Sequence, residues 1–126
     1  MAIIIPQQEH NLLDNWVADF NNGDLDAVCA HYSPQAVLIP AVAKGVKQNI
    51  DSIRKHFADI FTEREKVRTS LLSCNVLYEN GHRTYRGKYG FTWYEGTKLC
   101  YAKAQYSFVI DGNKIMVHHS SLVRKG

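Results

Sequence analysis

Near residue 67 the spacing of apolar residues changes from a helical period to a period of two, and it does not change back. A strand buries an alternating pattern and a helix buries one of roughly 3.6 residues, so this switch predicts a helical first half and a β second half. Helices followed by a run of strands, without βαβ alternation, define an α+β class.

In the first half, Leu12, Leu13, Trp16, Val17 and Phe20 recur at helical spacing. They predict an amphipathic helix from residue 7 to about 21, beginning after Pro6 and stopped by Asn22-Gly23. Asp24 caps a short second helix that turns Leu25, Val28 and Tyr32 inward and ends at Ser33-Pro34. Ala36 to Pro40 reads as a short strand. Ile50, Ile53, Phe57, Ile60 and Phe61 mark a third helix capped by Asn49, with Asp51, Arg54, Lys55 and Asp59 on its opposite face.

In the second half, Leu72, Cys74, Val76 and Tyr78 share one face of a strand that turns at Asn80-Gly81. Tyr85, Gly87, Tyr89, Phe91 and Trp93 share a face of the next, with Thr84, Arg86, Lys88 and Thr92 opposite. Cys100, Ala102, Ala104, Tyr106, Phe108 and Ile110 line a third, and Asp111-Gly112 leads into a last strand from Ile115 to Leu122. The expected product is a cone-shaped, strongly curved antiparallel sheet covered by three N-terminal helices. Gly87 and Gly90 allow a bend or a close approach within their strand. The mouth of such a cone is a natural small-molecule site.

With 126 residues, 45% of them hydrophobic, the chain supports one core, and we read a single domain over residues 1–126. Fifteen basic residues against twelve acidic give a charge of +3 that is scattered instead of clustered, which argues against nucleic acid as a partner. Met1 to Pro6 lacks the features of a signal peptide, and no segment approaches the roughly 18 uninterrupted apolar residues of a membrane span. Cys29, Cys74 and Cys100 are odd in number and widely spaced, so reduced thiols in a cytoplasmic protein are expected, with neither disulfide framework nor zinc site.

Several segments, in this order, resemble the nuclear transport factor 2-like (cystatin-like) superfamily. They are Phe20 to Val28, His31 to Pro40, Ile53 to Phe57, Gly87 to Phe91, Ala104 to Val109 and His118 to Ser121. Within it they look most like the SnoaL-like group and the association domain of calcium/calmodulin-dependent protein kinase II. The resemblance implies a helix-capped cone and self-association, as a homodimer or a larger ring. It leaves activity open, because this fold hosts isomerases, cyclases, dehydratases and pure assembly modules. Where the similar ketosteroid isomerases carry a general-base aspartate this chain has Pro40, and near their catalytic tyrosine it has Trp16; neither supplies that chemistry. Two pocket arginines of the kinase association domain fall on Phe108 and Ser120, so a guanidinium-lined pocket is not expected.

The densest polar cluster is Val117-His118-His119-Ser120-Ser121. Adjacent strand residues face opposite ways, so one histidine alone can enter the cavity and a His-pair metal site is not expected. A two-residue turn would put His119 and Ser121 beside Tyr106 and Phe108, and a three-residue turn would put His118 and Ser120 there. The spacing of Ile115 and Val117 favours the first phase, and the resemblance favours the second. His118 is therefore the candidate acid or base, with His119 as the alternative. Trp16, Tyr32, Tyr89, Phe91, Trp93, Tyr106, Phe108 and Ser120 are the candidate ligand-binding residues. The plain alternative is that the aromatic stripe is core and the histidine structural. His56 is read as a surface or helix-packing residue. The expected function is an oligomeric domain binding a small hydrophobic molecule without cofactor. The alternatives are an isomerase, cyclase or dehydratase using the pocket histidine, and an assembly module.

Overall fold

The computed structural model describes residues 7–41, 45–79 and 81–123; Met1 to Pro6, and Asn80 of the expected turn, lie outside them. The first helix, α1 (Gln7–Asn21), ends at Gly23, whose φ of 66° suits a residue without Cβ. Asp24 accepts from the Ala27 backbone N–H at 3.1 Å and starts α2 (Leu25–Ala30). The third helix, α3 (Ile50–Glu63), is capped by Asn49, whose side chain accepts from the Ser52 N–H at 3.2 Å. The strands are β1 (Tyr32–Ile39), β2 (Lys47–Gln48), β3 (Glu65–Glu79), β4 (His82–Glu95), β5 (Lys98–Asp111) and β6 (Lys114–Leu122).

They form one open sheet in the order β2-β1-β6-β5-β4-β3. This is the α+β cone expected, with one difference: β1 runs parallel to β6, so the sheet is mixed. In the chain α3 and four strands separate β1 from β6, so no tight hairpin forces the two to run antiparallel.

The second helix stops at Ala30, ahead of Ser33-Pro34, and Tyr32 is the first residue of β1 instead of a helical residue. Pro34 is tolerated in the strand because the β1–β6 register shifts between Tyr32 and Val37. In β3 the register slips between Leu71 and Ser73, so Cys74 and Val76 are partly buried, while Leu72 and the more distant Tyr78 are exposed.

Leu13, Trp16 and Phe20 of α1 and Ile53 and Phe57 of α3 pack onto Tyr85, Tyr89, Ala104, Phe108 and Ile110 from the inner sheet face. Asn21, the last residue of α1, fastens the helix to the sheet. Its amide donates to the Thr69 carbonyl at 3.0 Å and accepts from the Thr69 N–H at 2.7 Å, replacing a missing strand neighbour. Gly87 is the close approach anticipated: a Cβ there would collide with the Ser73 carbonyl, and the bare backbone lets the Tyr106 hydroxyl donate to that same oxygen at 2.7 Å. Among the described residues no helix is long and apolar enough to cross a membrane.

Candidate functional site

The last strand decides which histidine turns inward. Asp111 pairs with Lys114, which makes Gly112-Asn113 a two-residue turn, the case expected to send His119 inside. Instead His118 lies opposite Phe108 and is 3% exposed, while His119 lies opposite Ser107 and is exposed. The reason is a bulge: Ile110 pairs with Ile115 but Val109 pairs with Val117, leaving Met116 unpaired and reversing the phase. Ile115 and His118 therefore both face the core, reconciling the apolar spacing with the inward histidine.

Around His118 runs a continuous chain of hydrogen bonds. Trp16 Nε1 donates to Tyr32 Oη at 3.1 Å, and Tyr32 Oη lies 2.7 Å from His118 Nδ1. On the other side of the ring, Nε2 lies 3.0 Å from Tyr89 Oη and 3.3 Å from Ser120 Oγ, and those two hydroxyls contact each other. An indole N–H is only ever a donor, so it sets the sense of the chain. Among the described residues the Tyr32 hydroxyl hydrogen has one acceptor, Nδ1. The neutral imidazole then carries its proton on Nε2 and donates to Tyr89, whose hydroxyl donates to Ser120.

Burial first, then the neighbouring His56 and His119, holds His118 well below the ordinary histidine range, so the ring is neutral at pH 7. Burial likewise pushes the Tyr32 and Tyr89 hydroxyls up, so both remain protonated donors. The ring is clamped by Phe108, stacked at 4.0 Å between centroids, and by the edge of Trp16 at 5.7 Å.

The chain ends at a largely apolar cavity of about 100 Å³. Of the residues expected to bind a ligand, Trp16, Tyr89, Phe91, Trp93, His118 and Ser120 line it. Tyr32 and Phe108 do not; they lie behind His118 and hold it. Tyr106 does not either, because its hydroxyl is drawn across Gly87 to Ser73. The sequence reading missed the helical and rim residues, among them Leu38, Ile60, Val67 and Arg64, and it left His56 outside a cavity that this residue lines. The inward spacing of α3 was a usable signal for Ile60 and His56. Nothing local marked Arg64, which closes α3 as its C-cap.

His56 is lowered to about 4, first by burial and then by Lys47, against a smaller opposing effect of Asp59. A larger groove of about 390 Å³ opens on the opposite sheet face, lined by polar groups including Arg86, Lys88 and His119. It is more open and polar, so the enclosed apolar cavity with its few convergent polar groups is the candidate site. Among the described residues no cluster of His, Cys, Asp and Glu is placed to hold a metal ion, and all three cysteines are free.

A helix-covered open sheet with a cavity between helices and sheet defines the nuclear transport factor 2-like fold. Among solved structures the chain is similar to a protein described as a calcium/calmodulin-dependent protein kinase II association domain from Xanthomonas campestris. The two are 28% identical with a TM-score of 0.82, over 95% of this chain and 89% of that one. It is also similar in fold to a protein described as a dehydratase of this family from Streptomyces avermitilis, at 14% identity and TM-score 0.83, covering 94% and 96%. A ketosteroid isomerase-like protein from Erwinia carotovora has the same fold at 15% identity and TM-score 0.74, covering 92% and 94%. No protein-family sequence model and no curated protein sequence matches the chain. Pro40 lines the cavity, and among the described residues no carboxylate does.

Proposed function

We propose that residues 1–126 form one self-associating domain that binds a small, mostly apolar molecule bearing an oxygen acceptor. The observation that carries this reading is the apolar cavity ending on the polarised Trp16–Tyr32–His118–Tyr89–Ser120 chain. Each member donates toward the next, so the Ser120 hydroxyl hydrogen is left as the donor available to a ligand. A carbonyl or ether oxygen seated there receives a hydrogen bond in an apolar setting, where it is stronger than in water. Self-association is supported by the likeness to the association-domain protein. Exposed Leu72, Leu77 and Tyr101 on the strands give it apolar surface to cover.

Acid–base catalysis at His118 is a second reading, favoured by that residue's place in the cavity wall. Against it, both ring nitrogens are already engaged and the ring is a weak base.

The test is a protein-observed NMR titration with cyclohexanone as probe and cyclohexane as the control of like shape. Cyclohexanone is expected to bind and to shift the Trp16 and His118 resonances, and Ser120→Ala is expected to weaken it by about fivefold, the equivalent of one neutral hydrogen bond. Equal binding of ketone and hydrocarbon, or no binding of either, would refute the reading.

A further inference from the structure

The cavity is apolar, but its wall includes one full charge. His56 and His118 are neutral at pH 7, and among the described lining residues Arg64 alone is charged there. Its backbone is fixed, since the Arg64 N–H donates to the Ile60 carbonyl at 3.0 Å as α3 ends. Its side chain is placed as well: the guanidinium carbon lies 4.4 Å from the centroid of Trp93, a second lining residue. Stacking on an aromatic face leaves the in-plane N–H donors directed outward from the ring edge.

Among the described residues those donors have no carboxylate partner. The ion pairs among the described residues are His31–Asp19, Arg54–Asp26 and Lys55–Asp59, and none involves Arg64. The carboxylate bonded to Trp93, that of Glu95, accepts from the indole N–H at 3.1 Å and makes no ion pair with the guanidinium. A planar, pre-stacked, unpaired guanidinium beside an apolar cavity matches the fork geometry of a carboxylate.

We infer that the ligand is a small carboxylate: its apolar ring fills the cavity, its second oxygen meets Ser120, and its carboxylate meets Arg64 stacked on Trp93. This rests on the binding function proposed for the same cavity and names the class of molecule that fits it. Arg64 is then the residue that selects anions over neutral molecules of the same shape.

The experiment compares 3-oxocyclohexane-1-carboxylate with its methyl ester and with cyclohexanone, by titration calorimetry on the full chain. In the wild type the carboxylate is expected to bind about tenfold tighter than the ester, as one charge-assisted contact provides. In Arg64→Gln the carboxylate's advantage over the ester is expected to fall below about twofold. Arg64→Lys, which keeps the charge but loses the planar fork, should fall between, and thermal unfolding of both variants verifies folding. If cyclohexanone binds but acid and ester bind alike, or if the preference survives in Arg64→Gln, the carboxylate assignment is wrong and the cavity reading stands. If none of the three binds, the cavity reading fails and this inference fails with it.

Discussion

Replacing Tyr32 by Phe removes one oxygen and keeps the ring that packs 5.8 Å from Phe57 and 6.1 Å from His118. That oxygen serves two partners, the Trp16 N–H and His118 Nδ1, and both belong to residues no more than 3% exposed. A tautomer shift offers no rescue, because a neutral imidazole that moves its proton to Nδ1 has an orphan donor there in place of an orphan acceptor. Each buried polar group left unpaired costs about 1–3 kcal/mol, so Tyr32→Phe should destabilise by about 2–6 kcal/mol. Against a total of about 5–15 kcal/mol for a domain this is a large fraction. Urea denaturation followed by circular dichroism is the assay, and the midpoint should drop by about 1 M or more. Tyr101→Phe is the control: Tyr101 is 58% exposed, and its loss should stay within about 0.5 kcal/mol. If Tyr32→Phe is as mild as the control, the hydroxyl does not bridge two buried groups and the directional chain is refuted.

Gly87→Ala should destabilise by about 1–3 kcal/mol, because the added methyl meets the Ser73 backbone carbonyl. Gly90→Ala meets only the exposed Tyr101 ring end and should cost clearly less; equal losses in urea midpoints would contradict the packing described. Stability should also fall on mild acidification. His56 titrates at about 4 when folded against 6.5 ordinarily, and His118 is lowered in the same direction, so between those values the unfolded chain binds more protons. Their contribution is complete above about pH 6.5 and is lost as the pH falls toward 4, a window whose upper part precedes most carboxylate titration. Urea midpoints that are flat or rising between pH 7 and pH 5 would show that these histidines are not buried neutral.

The helices and long strands were legible because each repeats its period several times, as Ile53, Phe57 and Ile60 do in α3 and Ala104, Tyr106 and Phe108 in β5. Phase was harder to read. Pro34 looks like a stop and is instead carried within an irregular strand, and Met116 adds one residue that reverses the inward face of β6. A bulge leaves no local composition signal, so the turn at Gly112-Asn113 gave the wrong histidine while the family resemblance gave the right one. His118 and its aromatic neighbours were recognised as a group. The direction of their hydrogen bonds depends on Trp16 and Tyr32, distant in sequence, and became visible only when the fold brought them together.

The clamp at Asn21 has a consequence beyond anchoring a helix. Because β3 is the last strand of an open sheet, its outward backbone groups could template pairing with another chain and seed fibrous aggregates. The Asn21 amide occupies the N–H and carbonyl of Thr69, and irregularities on either side, between Glu65 and Arg68 and between Leu71 and Ser73, break the straight ladder such pairing needs. The opposite edge, β2, is only Lys47–Gln48, too short and too charged to recruit a partner. A sheet left open to hold a cavity is thus kept from growing by one asparagine and two misaligned residues.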